Sequence, residues 1–188
     1  VVTFDERPCQ LIDNIIMPLA IKPGKPIRED YEYERKGTCC VLLAFEPMAG
    51  WRFIQVRKQR TKVDYAYFMK ELFERHYPYV KRIRLVQDNL NTHTPGSFYE
   101  AFEPQEAFNL GQKFELHYTP KKGSWLNMAE IELSALAKQC LDRRIGEMQI
   151  LEKEVLRWES VRNKLARTVQ WKFTKSGARI KLEKFYPQ

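Results

Sequence analysis

IRLVQDNLNTH, residues 83–93, is an apolar run that stops at a carboxylate. Ile83, Leu85 and Val86 read as a short buried strand over 83–87, and Asp88 follows it directly. The loop beyond is polar and holds Asn89, Asn91 and His93. A strand that delivers a functional group just past its last buried residue is what an α/β sheet presents at its chemical edge. An Asx-turn closing the strand would leave the same residues in place.

Outward from this stretch, VVTF (1–4) reads as a second short buried strand, ending at Asp5. Residues Arg7 to Lys36 contain Pro8, Pro18, Pro23 and Pro26 and read as a long surface excursion. Thr38–Phe45 and Trp51–Val56, separated by EPMAG, predict an antiparallel hairpin. Thr61 and Asp64 form a capping-box-like start to a helix with Tyr65, Phe68, Leu72 and Phe73 on one face, stopped by Pro78. A helical connection over Gly96–Phe108, a strand over Phe114–Tyr118 and a helix from Asn127 to about Leu141 follow. Leu151, Val155, Trp158, Val161 and Leu165 form a helical stripe within Gln149–Val169 and read as core. In the tail, Ser176 reads as the cap of a last short helix.

This order predicts an α/β fold: a ribonuclease H-like mixed five-stranded sheet flanked by helices, with extra C-terminal helices. The expected division is a catalytic domain over 1–145 and a C-terminal helical extension over 146–188 packed on it.

Composition bounds the function. The chain has 188 residues, 44% hydrophobic and 30% charged, and no apolar run long enough to span a bilayer, which argues against disorder, a membrane protein or a secretory leader. A cytoplasmic, nucleoid-associated location is expected. The net charge is +8, and residues 121–188 carry 15 basic against 8 acidic side chains, so the excess lies in the last third. That distribution points to a polyanion, with a solvated basic face as the plainer reading. Cys9, Cys39, Cys40 and Cys140 lack zinc-site spacing and read as small buried side chains.

Three acids stand out: Asp5, Asp88 and Glu130 in GSWLNMAEIEL. Asp5 is also well placed to start a turn before Pro8. Glu130 follows Asn127 by three residues, a capping-box spacing, yet it shares a helical row with Leu133, Ala137 and Cys140 that would face the sheet. Glu132 lies well around that helix and reads as an outward charge or a supporting group. If the fold gathers the three carboxylates they repel one another, and a divalent cation relieves this. Mg²⁺ or Mn²⁺, as two ions sharing a phosphate, would suit such a site and phosphoryl-transfer chemistry. His93 reads as exposed in its loop, placed to position a water or phosphate or simply to serve the turn.

The segments LVQDNLNTH, FELHYTPKKGSWLNMAEIELSALAKQCLDRR and WKFTKSGARIKLEKFYP resemble DDE transposases of bacterial insertion sequences, in the branch related to the mariner elements. The resemblance implies that Asp5, Asp88 and Glu130 are the catalytic and metal-binding triad, with Asn89, His93, Asn127 and Glu132 accessory. It implies hydrolysis of DNA at element ends followed by strand transfer into target DNA. The partners so implied are DNA and a second copy of the chain in a homodimer, with neither a membrane nor a small-molecule substrate. Lys121, Lys122, Trp125, Arg143 and Arg144 are candidate DNA contacts, with Arg157, Arg162, Lys164 and Arg167 as further basic groups; for Trp125 the plainer reading is an anchor of its loop into the core. The 41 residues between Asp88 and Glu130 exceed the commonest spacing in mariner relatives and leave Glu132 in contention as the third acid. A structure-selective ribonuclease H-like nuclease and a decayed, DNA-holding remnant are the alternative functions.

Overall fold

The computed structural model describes residues 1–18, 23–24, 30–121, 123–170 and 174–183. Five strands form one mixed sheet: β1 (Val2–Asn14), β2 (Tyr33–Glu46), β3 (Trp51–Arg57), β4 (Ile83–Gln87) and β5 (Phe114–Tyr118). Their order is β3-β2-β1-β4-β5, with β1, β2 and β3 antiparallel and β1, β4 and β5 parallel. This is the ribonuclease H-like arrangement that the sequence order predicts.

Helices cover both faces. On one side α1 (Lys62–Glu71, extended by a π-type turn over Leu72–His76), α2 (Gly96–Ala101) and α3 (Pro104–Gly111) bury Phe4, Leu42, Leu85 and Phe114 under Tyr65, Phe68, Met69 and Phe98. On the other, α4 (Ala129–Gln139) and α5 (Met148–Lys164) bury Val41, Leu43, Phe45 and Ile54 under Leu133, Leu136, Leu151 and Val155. A final helix, α6 (Lys175–Leu182), is capped by Thr174, whose hydroxyl accepts from Gly177 N at 3.1 Å; Ser176 lies inside it.

Local chemistry accounts for the element ends. The capping box at Thr61 forms in both directions, Asp64 N donating to Thr61 Oγ1 at 3.1 Å and Thr61 N to Asp64 Oδ2 at 2.9 Å. The connection expected as one helix over Gly96–Phe108 is two, because Glu103 precedes a proline and takes extended ψ of 149°, and Pro104 then opens α3. Gly50 turns β2 into β3 at φ 65°, where a Cβ would overlap the backbone of Ala166.

Three expectations fail. Residues 7–14 and 33–36 are not an irregular excursion: they pair as an antiparallel arm running from Arg7↔Val41 to Asn14↔Tyr33. Proline at position 8 is tolerated in that strand, whose Cys9 and Leu11 join the core under α4 and α5 while Arg7, Pro8 and Gln10 between and before them are exposed. The stripe on α5 is core only in its first half: Leu151 and Val155 are buried, whereas Val161 is 50% and Leu165 56% exposed, where the helix passes the sheet's edge. Glu132, read as an outward charge or a supporting group, is 1% exposed, so the outward reading falls.

Glu132 holds the α4–α5 layer to the sheet. Its Oε2 takes Arg52 Nε at 2.7 Å and its Oε1 takes Arg162 Nη2 at 2.7 Å. Arg52, fully buried on β3, also donates to the carbonyls of Gly50, Arg162 (3.3 Å) and Arg167 (2.5 Å) and lies 4.7 Å from the Phe45 ring centre. The guanidinium is thus paired and hydrogen-bonded on every side that burial strips of water. Removing Glu132 leaves buried Arg52 and part-buried Arg162 facing each other without their counter-charge. We expect Glu132→Ala to lower the unfolding free energy by about 3–5 kcal/mol in urea denaturation, while Glu130→Ala, two residues earlier on the helix and exposed, leaves it nearly unchanged.

Candidate active site

The site lies where β1 and β4 part. Their parallel pairing is confined to Val2↔Leu85 and Thr3↔Val86. Continued by two residues, that register brings Asp5 level with Asp88. β4 stops at Gln87, whereas β1 runs on with β2 as the arm. Asp5 therefore does not end a strand; it stands where its strand loses one neighbour, at the carboxyl end of the parallel pair, the usual place for an α/β site.

Each acid is supported differently. Asp5, 6% exposed, accepts from Glu6 N at 2.8 Å and from Asn127 Nδ2 at 3.2 Å. Asn127 is fully buried; its Nδ2 also donates to Phe4 O at 2.7 Å, and its Oδ1 accepts from Ala129 N at 3.2 Å. One amide thus fastens the first turn of α4 to β1. That use of Asn127 takes the place of a capping box with Glu130, and Glu130, read as facing the sheet in the row of Leu133, is instead exposed. Asp88 accepts from Leu90 N at 3.2 Å, an Asx-type turn, and its Oδ1 meets His93 Nδ1 at 2.6 Å. Asn89 Nδ2 donates to Thr119 O at 2.8 Å, holding the Asp88 loop to the end of β5.

His93 corrects the reading of an exposed loop histidine, for its side chain is 0% exposed. Its ring packs edge-on to Phe4 and is stacked on Tyr65, with centroids 5.1 and 5.2 Å away. Its carbonyl accepts from Gln87 Nε2 and Tyr118 Oη, each at 2.9 Å. A run of polar loop residues gave no sign that the chain folds this imidazole back under the sheet.

Asp5 feels the charge of both other acids. Burial lifts the Asp5 carboxyl to a pKa of about 7, opposed by the Glu6 N–H and reinforced by repulsion from Glu130 and then Asp88. Asp88 is held below the usual range, chiefly by the hydrogen bond from His93. On His93, burial acts downward, but the bonds and charges of Asp88 and Glu6 outweigh it and raise the pKa to about 9. Among the described residues, no three His, Cys, Asp or Glu side chains are already gathered closely enough to hold a metal ion. The oxygen donors of Asp5, Asp88 and Glu130 nonetheless suit a hard divalent cation, and their mutual repulsion is the term that a cation would relieve.

The expected basic contacts divide. Lys121 and Trp125 (42% exposed) lie on the loop before α4, and Lys122 is outside the described residues. Arg143 is half exposed and pairs with Glu154 at 2.9 Å. Arg144 is spent on the arm: it donates to Asn14 Oδ1 and Glu32 O, both at 2.8 Å, and to Asp30 O at 2.5 Å. Arg162 is committed to Glu132, while Arg157, Lys164 and Arg167 are exposed. Glu6 and Arg52 were not singled out in the sequence; the only signal for Glu6 was its place beside Asp5.

A carboxyl whose folded pKa lies above its unfolded value stabilises the fold at low pH, and loses that contribution as pH rises through the folded pKa. Without divalent cations, Asp5 should therefore weaken the protein between about pH 4 and pH 7. Asp5→Asn is expected to be more stable than the parent at pH 8 by on the order of 2 kcal/mol and to lose that advantage at pH 4, as read from thermal or urea unfolding in chelator.

Residues 1–152 match the family model of the DDE superfamily endonucleases. No curated protein sequence matches the chain. Its fold is similar to that of the Mos1 mariner paired-end complex with Mn, at 15% identity and a TM-score of 0.58 over 88% of this chain and 50% of that one. The Mos1 strand transfer complex gives 15% and 0.57 over 88% and 49%. The Mos1 transposase paired-end complex with the left transposon end gives 14% and 0.60 over 96% and 53%. The chain thus spans about half the length of these solved relatives. By its match over most of its length, the chain belongs to the DDE superfamily of endonucleases.

Proposed function

We propose that this chain is the catalytic domain of a transposase that hydrolyses DNA phosphodiester bonds at the ends of a mobile element and joins the freed 3′ ends to target DNA. What supports this reading is Asp5, buried at the opening between β1 and β4, level with Asp88 in the continued register and under the charge of Glu130 and Asp88. Asp5, Asp88 and Glu130 would hold Mg²⁺ or Mn²⁺. Such ions, when bound, polarise the scissile phosphate and make water or a 3′-hydroxyl a competent nucleophile near neutral pH.

The protein's part is to fix where the oxygens stand. Asn127 and the Glu6 N–H orient the two oxygens of Asp5. His93 occupies Asp88 Oδ1 and leaves Oδ2 free of any protein partner among the described residues. Glu130, exposed in the first turn of α4, faces solvent from which a DNA backbone can approach. Lys121 and Trp125, on the loop leading into that helix, would meet a phosphate and an unpaired base beside the cut. Two copies of the chain acting on paired ends complete the proposal.

In Mn²⁺, the protein should nick a supercoiled plasmid, and Asp5→Asn, Asp88→Asn and Glu130→Gln should each reduce nicking to the buffer control. A precut element end should be joined to the plasmid by the parent only. Full nicking by Asp88→Asn would sink the assignment.

A further inference from the structure

The cysteines take no part in the scheme above, and all four are free thiols. Two of them face each other. Cys9 on β1 is the direct partner of Cys39 on β2 in the antiparallel register. Both side chains enter the core under α4 and α5, so they stand on one face of the arm. Cys40, opposite Pro8, turns to the other face. Residues opposed in this way have Cα atoms about 4.5–5.5 Å apart, inside the window of about 4.4–6.8 Å that a disulfide spans. The two thiols differ in access. Cys39 is 2% exposed, whereas Cys9, at 9%, lines a cavity of about 180 Å³ whose wall also includes Arg7 and Arg143. Both arginines are exposed, so the cavity reaches the surface.

We propose that Cys9 and Cys39 are an oxidation site, a dithiol that hydroperoxides convert reversibly to a disulfide across the arm. The site is separate from the three acids and does not depend on their assignment. Cys9 is the reactive member. The neighbouring Cys39 thiol, acting against burial and helped by the charge of Arg7, holds the Cys9 pKa down at about 7; the same pairing, together with burial, pushes Cys39 up. A thiol beside arginines and within reach of small solutes is the arrangement in which cysteine reacts as a nucleophile. The Cys9 thiolate attacks one oxygen of hydrogen peroxide, the O–O bond breaks, and hydroxide leaves and takes up the proton that Cys9 released, giving water. Cys9 is then a sulfenic acid. The sulfur of Cys39 attacks that of Cys9, the S–O bond breaks, and a second water leaves with the proton of Cys39. The two sulfurs have lost two electrons, and one peroxide has taken them. Cβ atoms of a directly opposed pair stand about 4.5–5.5 Å apart, a little beyond the separation of about 3.5–4.5 Å in a relaxed bridge. The bond therefore forms under strain, which makes it reducible by small thiols.

The test is hydrogen peroxide treatment of the folded parent, followed by alkylation in denaturant and peptide mapping by mass spectrometry. Two of the four thiols should be lost, a linked Cys9–Cys39 peptide should appear, and reduced glutathione should restore both thiols. Cys39→Ser should stop at the sulfenic acid, trapped by dimedone at Cys9, while Cys40→Ser and Cys140→Ser should form the bond as the parent does. Survival of all four thiols in the folded parent, or a bond joining other cysteines, would overturn the proposal. A Cys39→Ser protein that melts with the parent yet gives no dimedone adduct counts against it equally. The parent also supplies a reading free of any folding defect in a variant. In a brief exposure to iodoacetamide, Cys9 should be alkylated ahead of Cys39 and Cys40, and equal rates or the reverse order would refute the assignment of Cys9 as the reactive thiol.

Discussion

Everything near the proposed site depends on a carboxylate that takes no part in it. Glu132 lies between Arg52 on β3 and Arg162 on α5, and its own helix begins three residues earlier at Ala129. Charges removed from water tolerate few arrangements, so this one contact sets how α4 lies across the sheet far more narrowly than Leu133 and Leu136 could by packing alone. The orientation of α4 in turn decides where Asn127 and Glu130 stand relative to Asp5. A structural ion pair at one end of the helix turn and a candidate metal-binding carboxylate at the other are two consequences of one placement.

The region between β1 and β4 shows the opposite balance. There the fold concentrates like charge, and the offsetting groups are single hydrogen bonds: the Glu6 N–H and the Asn127 amide on Asp5, the His93 imidazole on Asp88. These orient the oxygens, and His93, whose pKa is raised, offsets part of the charge while Asp5, Asp88 and Glu130 still repel one another. The closed network under α4 and this one at the crevice sit on the same few strands, and the first lends rigidity to the second.

Much of this was legible in the chain. The strand at Ile83–Gln87, the hairpin of β2 and β3 and the capping box at Thr61 follow from alternation and from short-range hydrogen bonding, which act within a few residues. Other features depended on partners far away in sequence. Glu130 and Glu132 differ by two positions on one helix, and only the arginines 80 and 30 residues distant in sequence determine which of them turns inward. His93 is carried under the sheet by an aromatic pocket built from β1 and α1. The arm of β1 and β2 was hidden because the prolines and charged residues of 7–36 outweigh the short alternation of Cys9 and Leu11.

The contact of α5 with β3 adds something other than packing. β3 is an edge strand, and the groups it turns outward are met by side chains in place of another strand. Asn163 accepts from Arg52 N and donates to Arg52 O, both at 2.8 Å, and Glu159 accepts from Ile54 N at 2.9 Å. An amide side chain here imitates a strand's backbone, and a helix does the work of a sixth strand in terminating the sheet. Such closure denies a foreign chain the template along which edges join, so solubility during synthesis and assembly is built into the same helix that anchors Glu132.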